Sequence, residues 1–244
     1  IGLAYASLGI RIIMMLVLVG YALYKFKLGK ISFGFVTENI KFGLPIALMF
    51  FLEVLGFCIV SILSGSITVL AAATNNLIMT IASVTFMIPL SLANATSVKI
   101  GHAFGKKDKA QIKNYIFASL VCVTVFILLS FTCFYWFPET IMSFLTKDPE
   151  VISLGVKILF IVAIFQLSDG VQVLLSGILR GFNETKLSSL LVFIGYWLFG
   201  IPFGIYLTFY VNIGVQGLWI GLALSLTIVA FTLSLYTIRR FKLL

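Results

Sequence analysis

Apolar residues fall into seven long blocks separated by polar, lysine-rich connections: 1–24, 42–63, 76–98, 115–137, 154–179, 187–210 and 215–238. Each is near or above the roughly 20 residues that an α-helix needs to cross about 30 Å of hydrocarbon. The pattern predicts an all-α integral membrane protein with seven transmembrane helices.

Composition agrees with that reading. Of 244 residues, 61% are hydrophobic and only 10% charged, with a mean hydropathy of +1.17; a soluble domain carries roughly 25% charged residues. The net charge of +9 does not form a basic face along any one helix, so nucleic acid is not an expected partner. It marks topology instead. Lys25, Lys27, Lys30 and Lys41, then Lys99, Lys106, Lys107, Lys109 and Lys113, then Arg180 and Lys186, then Arg239, Arg240 and Lys242 occupy alternate connections and the tail. These are fourteen of the 17 basic residues, so the positive-inside rule places those connections and the C-terminus in the cytoplasm, with residue 1 emerging outside. The expected location is a plasma membrane, a bacterial inner membrane, crossed several times.

The chain opens on Ile1 inside an apolar block, without Met or a signal pattern, and is read as the C-terminal portion of a longer protein. Cys58, Cys122 and Cys133 lie within blocks and suit neither a zinc site nor a disulfide framework; they are expected as small packing residues. The only histidine, His102, sits beside lysines in Gly101-His102-Ala103-Phe104-Gly105-Lys106-Lys107-Asp108. No Ser/His/Asp, phosphate-cradling or nucleotide motif is present, so neither an enzyme nor a bound cofactor is expected.

Six of the eight acids belong to connections, which leaves Glu53 and Asp169 within blocks. Glu53 lies 12 residues beyond Lys41 and Asp169 11 before Arg180, so both fall roughly 17 Å from the inner boundary, near the middle of the layer. An ionised carboxylate there costs at least about 2.5 kcal/mol and faces a protein-lined or wet interior. Each acid alone is compatible with a protonated helix-to-helix hydrogen bond. Two at matching depth point further, to a shared cavity that takes up a proton or a metal cation.

Asn75, Asn76 and Thr80 are expected to line that cavity from one face of the third helix, and Gln166, three residues before Asp169, from the fifth. Pro45, Pro89 and Pro202 lie within blocks, where each frees a carbonyl and shapes packing through a kink. The 24 Phe, with Gly56, Gly65, Gly170 and Gly177, suit lipid contact and close helix approach.

Three ordered motifs carry a resemblance. Gly43-Leu44-Pro45-Ile46-Ala47 followed by Glu53, and Met87-Ile88-Pro89-Leu90-Ser91 running into Ser97-Val98-Lys99-Ile100-Gly101 and Gly105, resemble the seventh and eighth helices of the multidrug and toxic compound extrusion (MATE) family. Gln166 to Asp169, Gly177, Leu179-Arg180-Gly181 and Thr185-Lys186 resemble its tenth helix and the loop after it. Three positions depart from the family: Ala73-Thr74-Asn75-Asn76 stands where Ala-Ala-His-Gln is common, Lys99 where arginine is, and Phe165 where some relatives carry tyrosine.

The resemblance implies that residues 1–41 are the last helix of an N-terminal lobe plus a cytoplasmic linker. Residues 42–244 would form the six-helix C-terminal lobe of a twelve-helix transporter. It implies a secondary antiporter that exports drugs or organic cations in exchange for Na+ or H+, needing the missing N-terminal lobe and surrounded by lipid. Glu53 and Asp169 match the family's two acidic positions in this lobe, which implies cation coupling, with both carboxylates ligating Na+ if sodium couples. Seven spans also fit a heptahelical receptor, in which the two acids would be ligand counter-ions. A lipid-linked sugar flippase of related architecture is a further alternative, one that calls for more cationic groups in the cavity than Arg11 alone.

Overall fold

The computed structural model describes residues 2–25 and 33–242. All seven apolar blocks are helices long and apolar enough to cross a membrane. Packing divides the chain into two units, Ile1–Lys41 and Phe42–Leu244.

In the first unit, helix α1 (Gly2–Lys25) exposes the consecutive residues Met14, Met15, Leu16, Val17 and Leu18 alike. A helix apolar on every side belongs in a hydrocarbon environment. Helix α2 (Phe33–Ile67) begins in this unit and continues into the second.

The second unit is a helical bundle whose boundaries follow from capping chemistry. A single residue, Thr68, separates α2 from α3 (Val69–Gly105); it is extended, and its hydroxyl accepts the Ala71 amide at 3.0 Å. Asp108 caps α4 (Lys109–Trp136) by accepting the Gln111 amide at 3.0 Å. Asp148 caps α6 (Pro149–Gly181) by accepting from Glu150 and Val151, with Pro149 at the first helical position. These oxygens satisfy backbone donors that have no partner within the helix.

Helix α6 is the axis of the bundle, packing against α3, α4, α9 (Val215–Lys242) and the short helices α5 (Pro138–Leu145) and α7 (Thr185–Phe193). Small residues permit the approach. An added Cβ at Gly177 would lie 2.6 Å from the Ala93 carbonyl oxygen of α3.

Three features lay outside the sequence reading. The connection after α4 contains α5, begun by Pro138 with Glu139 in its first turn, and its Met142 is fully buried against Gly155. The span Thr185–Tyr210 is not uniform: π-helical turns at Ile194–Gly200 and Tyr206–Tyr210 flank α8 (Ile201–Ile205), which holds Pro202 in its first turn. Here the backbone meets α9 directly, because a side chain on Gly221 would collide with Gly200 and Gly204. Finally, Cys58, Cys122 and Cys133 are exposed free thiols, which corrects their expected packing role: their helix faces turn outward.

Candidate functional site

Glu53 on α2 and Asp169 on α6 are both buried, at 7% and 5% exposure. Gln172, fully buried one turn beyond Asp169, donates from Nε2 to Glu53 Oε1 at 3.1 Å, and the two carboxyls are within electrostatic reach of each other. With Nε2 engaged, Gln172 Oε1 is a buried acceptor without a partner among the described residues. Two carboxyls and an amide oxygen form an oxygen-only donor set, suited to a proton or to a hard cation rather than a soft one.

Aromatic side chains wall the site. Phe57 packs edge-on against both Phe165 and Tyr196, and Phe165 packs edge-on against Trp219, with centroids 5.5–6.3 Å apart. Tyr196 stacks under Gly56, where an added Cβ would approach its ring to 3.2 Å. Trp219 Nε1 donates to Asn75 Oδ1 at 3.1 Å, and Asn75 Nδ2 donates to Ser61 Oγ at 3.3 Å. This polar link joins α9, α3 and α2.

Polar residues also climb α6. Gln166, Asp169, Gln172 and Ser176 recur at three- and four-residue steps, hence on one helical face, and all are buried. Gln166 Oε1 accepts from Thr85 Oγ1 at 3.0 Å, while Ser176 Oγ has no partner among the described residues. One turn further, the Arg180 guanidinium lies 5.9 Å from the centre of the Phe50 ring of α2. The Pro45 carbonyl of α2 accepts from Ser189 Oγ of α7 at 2.6 Å. Side chains and not close backbone contact therefore fasten α2 to its neighbours.

A family model described as MatE matches residues 45–206, most of the second unit. A "Probable multidrug resistance protein NorM" from Xylella fastidiosa is 35% identical over 198 residues, 81% of this chain and 42% of the relative. The chain belongs to the MATE family. The crystal structure of the eukaryotic MATE transporter AtDTX14 is similar too, with a TM-score of 0.78 at 26% identity, covering 86% of this chain and 48% of that one. A MOP superfamily transporter from Pyrococcus furiosus shares the fold over 98% of this chain and 56% of its own, with a TM-score of 0.86 at 16% identity. The chain thus spans about half the length of its relatives or less. As a MATE chain it is a multi-pass membrane protein of a family of transporters, and the match does not favour the receptor or flippase readings.

Within this MATE bundle, the residues expected around the acids separate. Asn75 and Gln166 are buried, whereas Asn76 and Thr80 are exposed, Thr80 donating to the Asn76 carbonyl at 2.9 Å. The expected single face of all three is therefore corrected: consecutive helical residues diverge by about 100°, so Asn75 turns inward as Asn76 turns out. Gln172, Tyr196, Trp219 and Ser61 were missed. The spacing of Gln172 from Asp169 was the available signal for the first, being the same step that singled out Gln166.

Proposed function

We propose that the chain is the C-terminal lobe, residues 42–244, of a twelve-helix MATE antiporter, preceded by the last helix of the other lobe and a cytoplasmic linker in residues 1–41. The whole transporter exports drugs or organic cations in exchange for Na+ or H+, and Glu53 and Asp169 hold the coupling cation. The observation that carries this reading is the buried set Glu53, Gln172 and Asp169, which brings two carboxyls into the interior of the bundle. Burying polar groups without partners costs about 1–3 kcal/mol each in proteins, and the unpartnered Gln172 Oε1 offers an arriving cation a third oxygen. Where the cation is Na+, the two carboxylates and this oxygen hold it; where it is H+, the carboxyls take the proton and Gln172 keeps Glu53 in place.

Coupling needs unequal cation affinity in the two transport states, since equal affinity shifts nothing. The link from Glu53 to Gln172 bridges α2 and α6, so a cation that changes the charge on Glu53 changes how those helices are joined. From the outward-facing state, cation binding favours drug release; after the lobes turn inward, cation loss restores drug affinity. Lipid surrounds the spans, and the lysine-rich ends face the cytoplasm of a bacterial inner membrane.

The test is efflux of a fluorescent organic cation by the full-length transporter under imposed sodium and proton gradients, comparing wild type with Glu53→Gln and Asp169→Asn. Loss of gradient-driven efflux in either variant at normal membrane levels supports coupling, and the effective gradient names the ion. Undiminished efflux in both would make the acids structural.

A further inference from the structure

A second polar feature lies far from the acids. A concavity of about 280 Å³ is lined by Val98, Lys99, His102 and Lys106 at the end of α3 and by Gln111 and Tyr115 at the start of α4. Lys99, His102 and Lys106 are spaced by three and four residues and so share one face. No carboxylate lines the concavity. Asp108, the acid between the two helices, is engaged as the α4 cap through its Oδ1, and the one ion pair among the described residues joins Arg240 to Glu184 elsewhere. Gln111 Oε1 accepts from Tyr115 at 3.5 Å, which leaves the Gln111 NH2 free to donate. Positive groups gathered at one concavity repel one another unless an anion sits between them.

Its level in the bundle identifies the kind of anion. Val98 ends the third apolar block and Tyr115 begins the fourth, so the concavity lies at the boundary between hydrocarbon and water. Toward the hydrocarbon, α3 exposes Val98, Met87 and Val84, and α4 exposes Phe117, Val121 and Val125. A free phosphate would use only the cationic part; a lipid uses both. We infer that this concavity binds an anionic phospholipid of the lysine-rich leaflet. Lys99, His102 and Lys106 hold its phosphate, Gln111 and Tyr115 meet the rest of the headgroup, and its acyl chains follow the exposed faces of α3 and α4. None of its lining residues belongs to the set around Glu53 and Asp169.

The test is native mass spectrometry of the purified protein in detergent, titrated with phosphatidylglycerol, phosphatidylcholine or glycerol 3-phosphate. Wild type, Lys99→Arg/Lys106→Arg and a control of equal charge loss, Lys41→Gln/Lys186→Gln, should retain phosphatidylglycerol alike and in preference to phosphatidylcholine. Lys99→Gln/Lys106→Gln should bind it about tenfold more weakly. Equal retention by that variant, an equal loss in the control, or equal binding of phosphatidylcholine would overturn the assignment. Displacement of phosphatidylglycerol by glycerol 3-phosphate at matched concentration would also overturn it, in favour of a soluble phosphate.

Discussion

Gln172 donates from Nε2 to Glu53 Oε1 at 3.1 Å across 119 residues of sequence, joining the central helix of the bundle to the helix that opens it. The donor faces an acid that would otherwise be buried without a protein partner. The same amide keeps a buried oxygen with no partner among the described residues, one helical turn along α6 from Asp169. One side chain thus holds one acid in place and keeps a free oxygen of its own.

Gln172→Leu strands Glu53 Oε1 and should cost about 1–3 kcal/mol of stability. Glu53→Gln keeps an acceptor for Gln172 and should cost far less while abolishing cation-coupled transport. Glu53→Leu/Gln172→Leu, with both polar partners gone, should recover part of the single-variant loss, because removing a pair is cheaper than orphaning one member. Denaturation of the purified variants in detergent, with Glu53→Leu included to close the double-mutant cycle, measures all three.

Trp219→Phe removes the donor to Asn75 Oδ1 while retaining a ring near Phe165. Asn75 is fully buried, so the stranded oxygen should destabilise the protein by about 1–3 kcal/mol. Asn75→Leu in the same background should add little further, since it removes the stranded oxygen while giving up only the long 3.3 Å bond to Ser61 Oγ. Denaturation midpoints of the single and double variants check this; two full and additive losses would show that the Trp219–Asn75 link is not what Trp219 contributes.

The spans and the two central acids were legible because they rest on large effects: the length needed to cross hydrocarbon and the expense of a carboxylate within it. What escaped depends on contacts between distant residues. Nothing local distinguishes Asn75 from Asn76; the bundle does, by turning one toward Trp219 and the other outward. Nor does the sequence around Pro202 specify π-helical turns, which flank the short α8 where Gly200 and Gly204 meet Gly221 of α9. Helix α5 was legible in principle, since Pro138 followed by Glu139 is a helix start. It was hidden by being only 8 residues long.

Gly177→Val would drive a branched side chain into the Ala93 carbonyl of α3, 2.6 Å from the position of the added Cβ. Backbone cannot rotate aside as a side chain can, so α3 and α6 must separate, with an overpacking cost of about 1–3 kcal/mol or more. Gly65→Ala meets nothing within 4 Å and should be neutral or slightly stabilising, because alanine favours helix by up to about 1 kcal/mol. The ratio of folded to aggregated protein after detergent extraction separates the two outcomes; equal yields would mean that the α3–α6 contact is looser than described.

The exposed thiols test where the hydrocarbon lies. Cys58, Cys122 and Cys133 are all exposed, yet each belongs to a membrane-crossing helix, so the surface they occupy should be lipid and not water. A charged maleimide reaches a thiol only through water, because charge is excluded from the hydrocarbon. In reconstituted vesicles made permeable to both sides, a charged maleimide should therefore label none of the three to any large extent, whereas denaturation in sodium dodecyl sulfate should make all three react. Intact mass gives the number of adducts directly. Fast labelling of one cysteine before denaturation would place its stretch of helix against water, and for Cys58, five residues from Glu53 on α2, it would mean that water reaches the outward face of that helix at the depth of the acids.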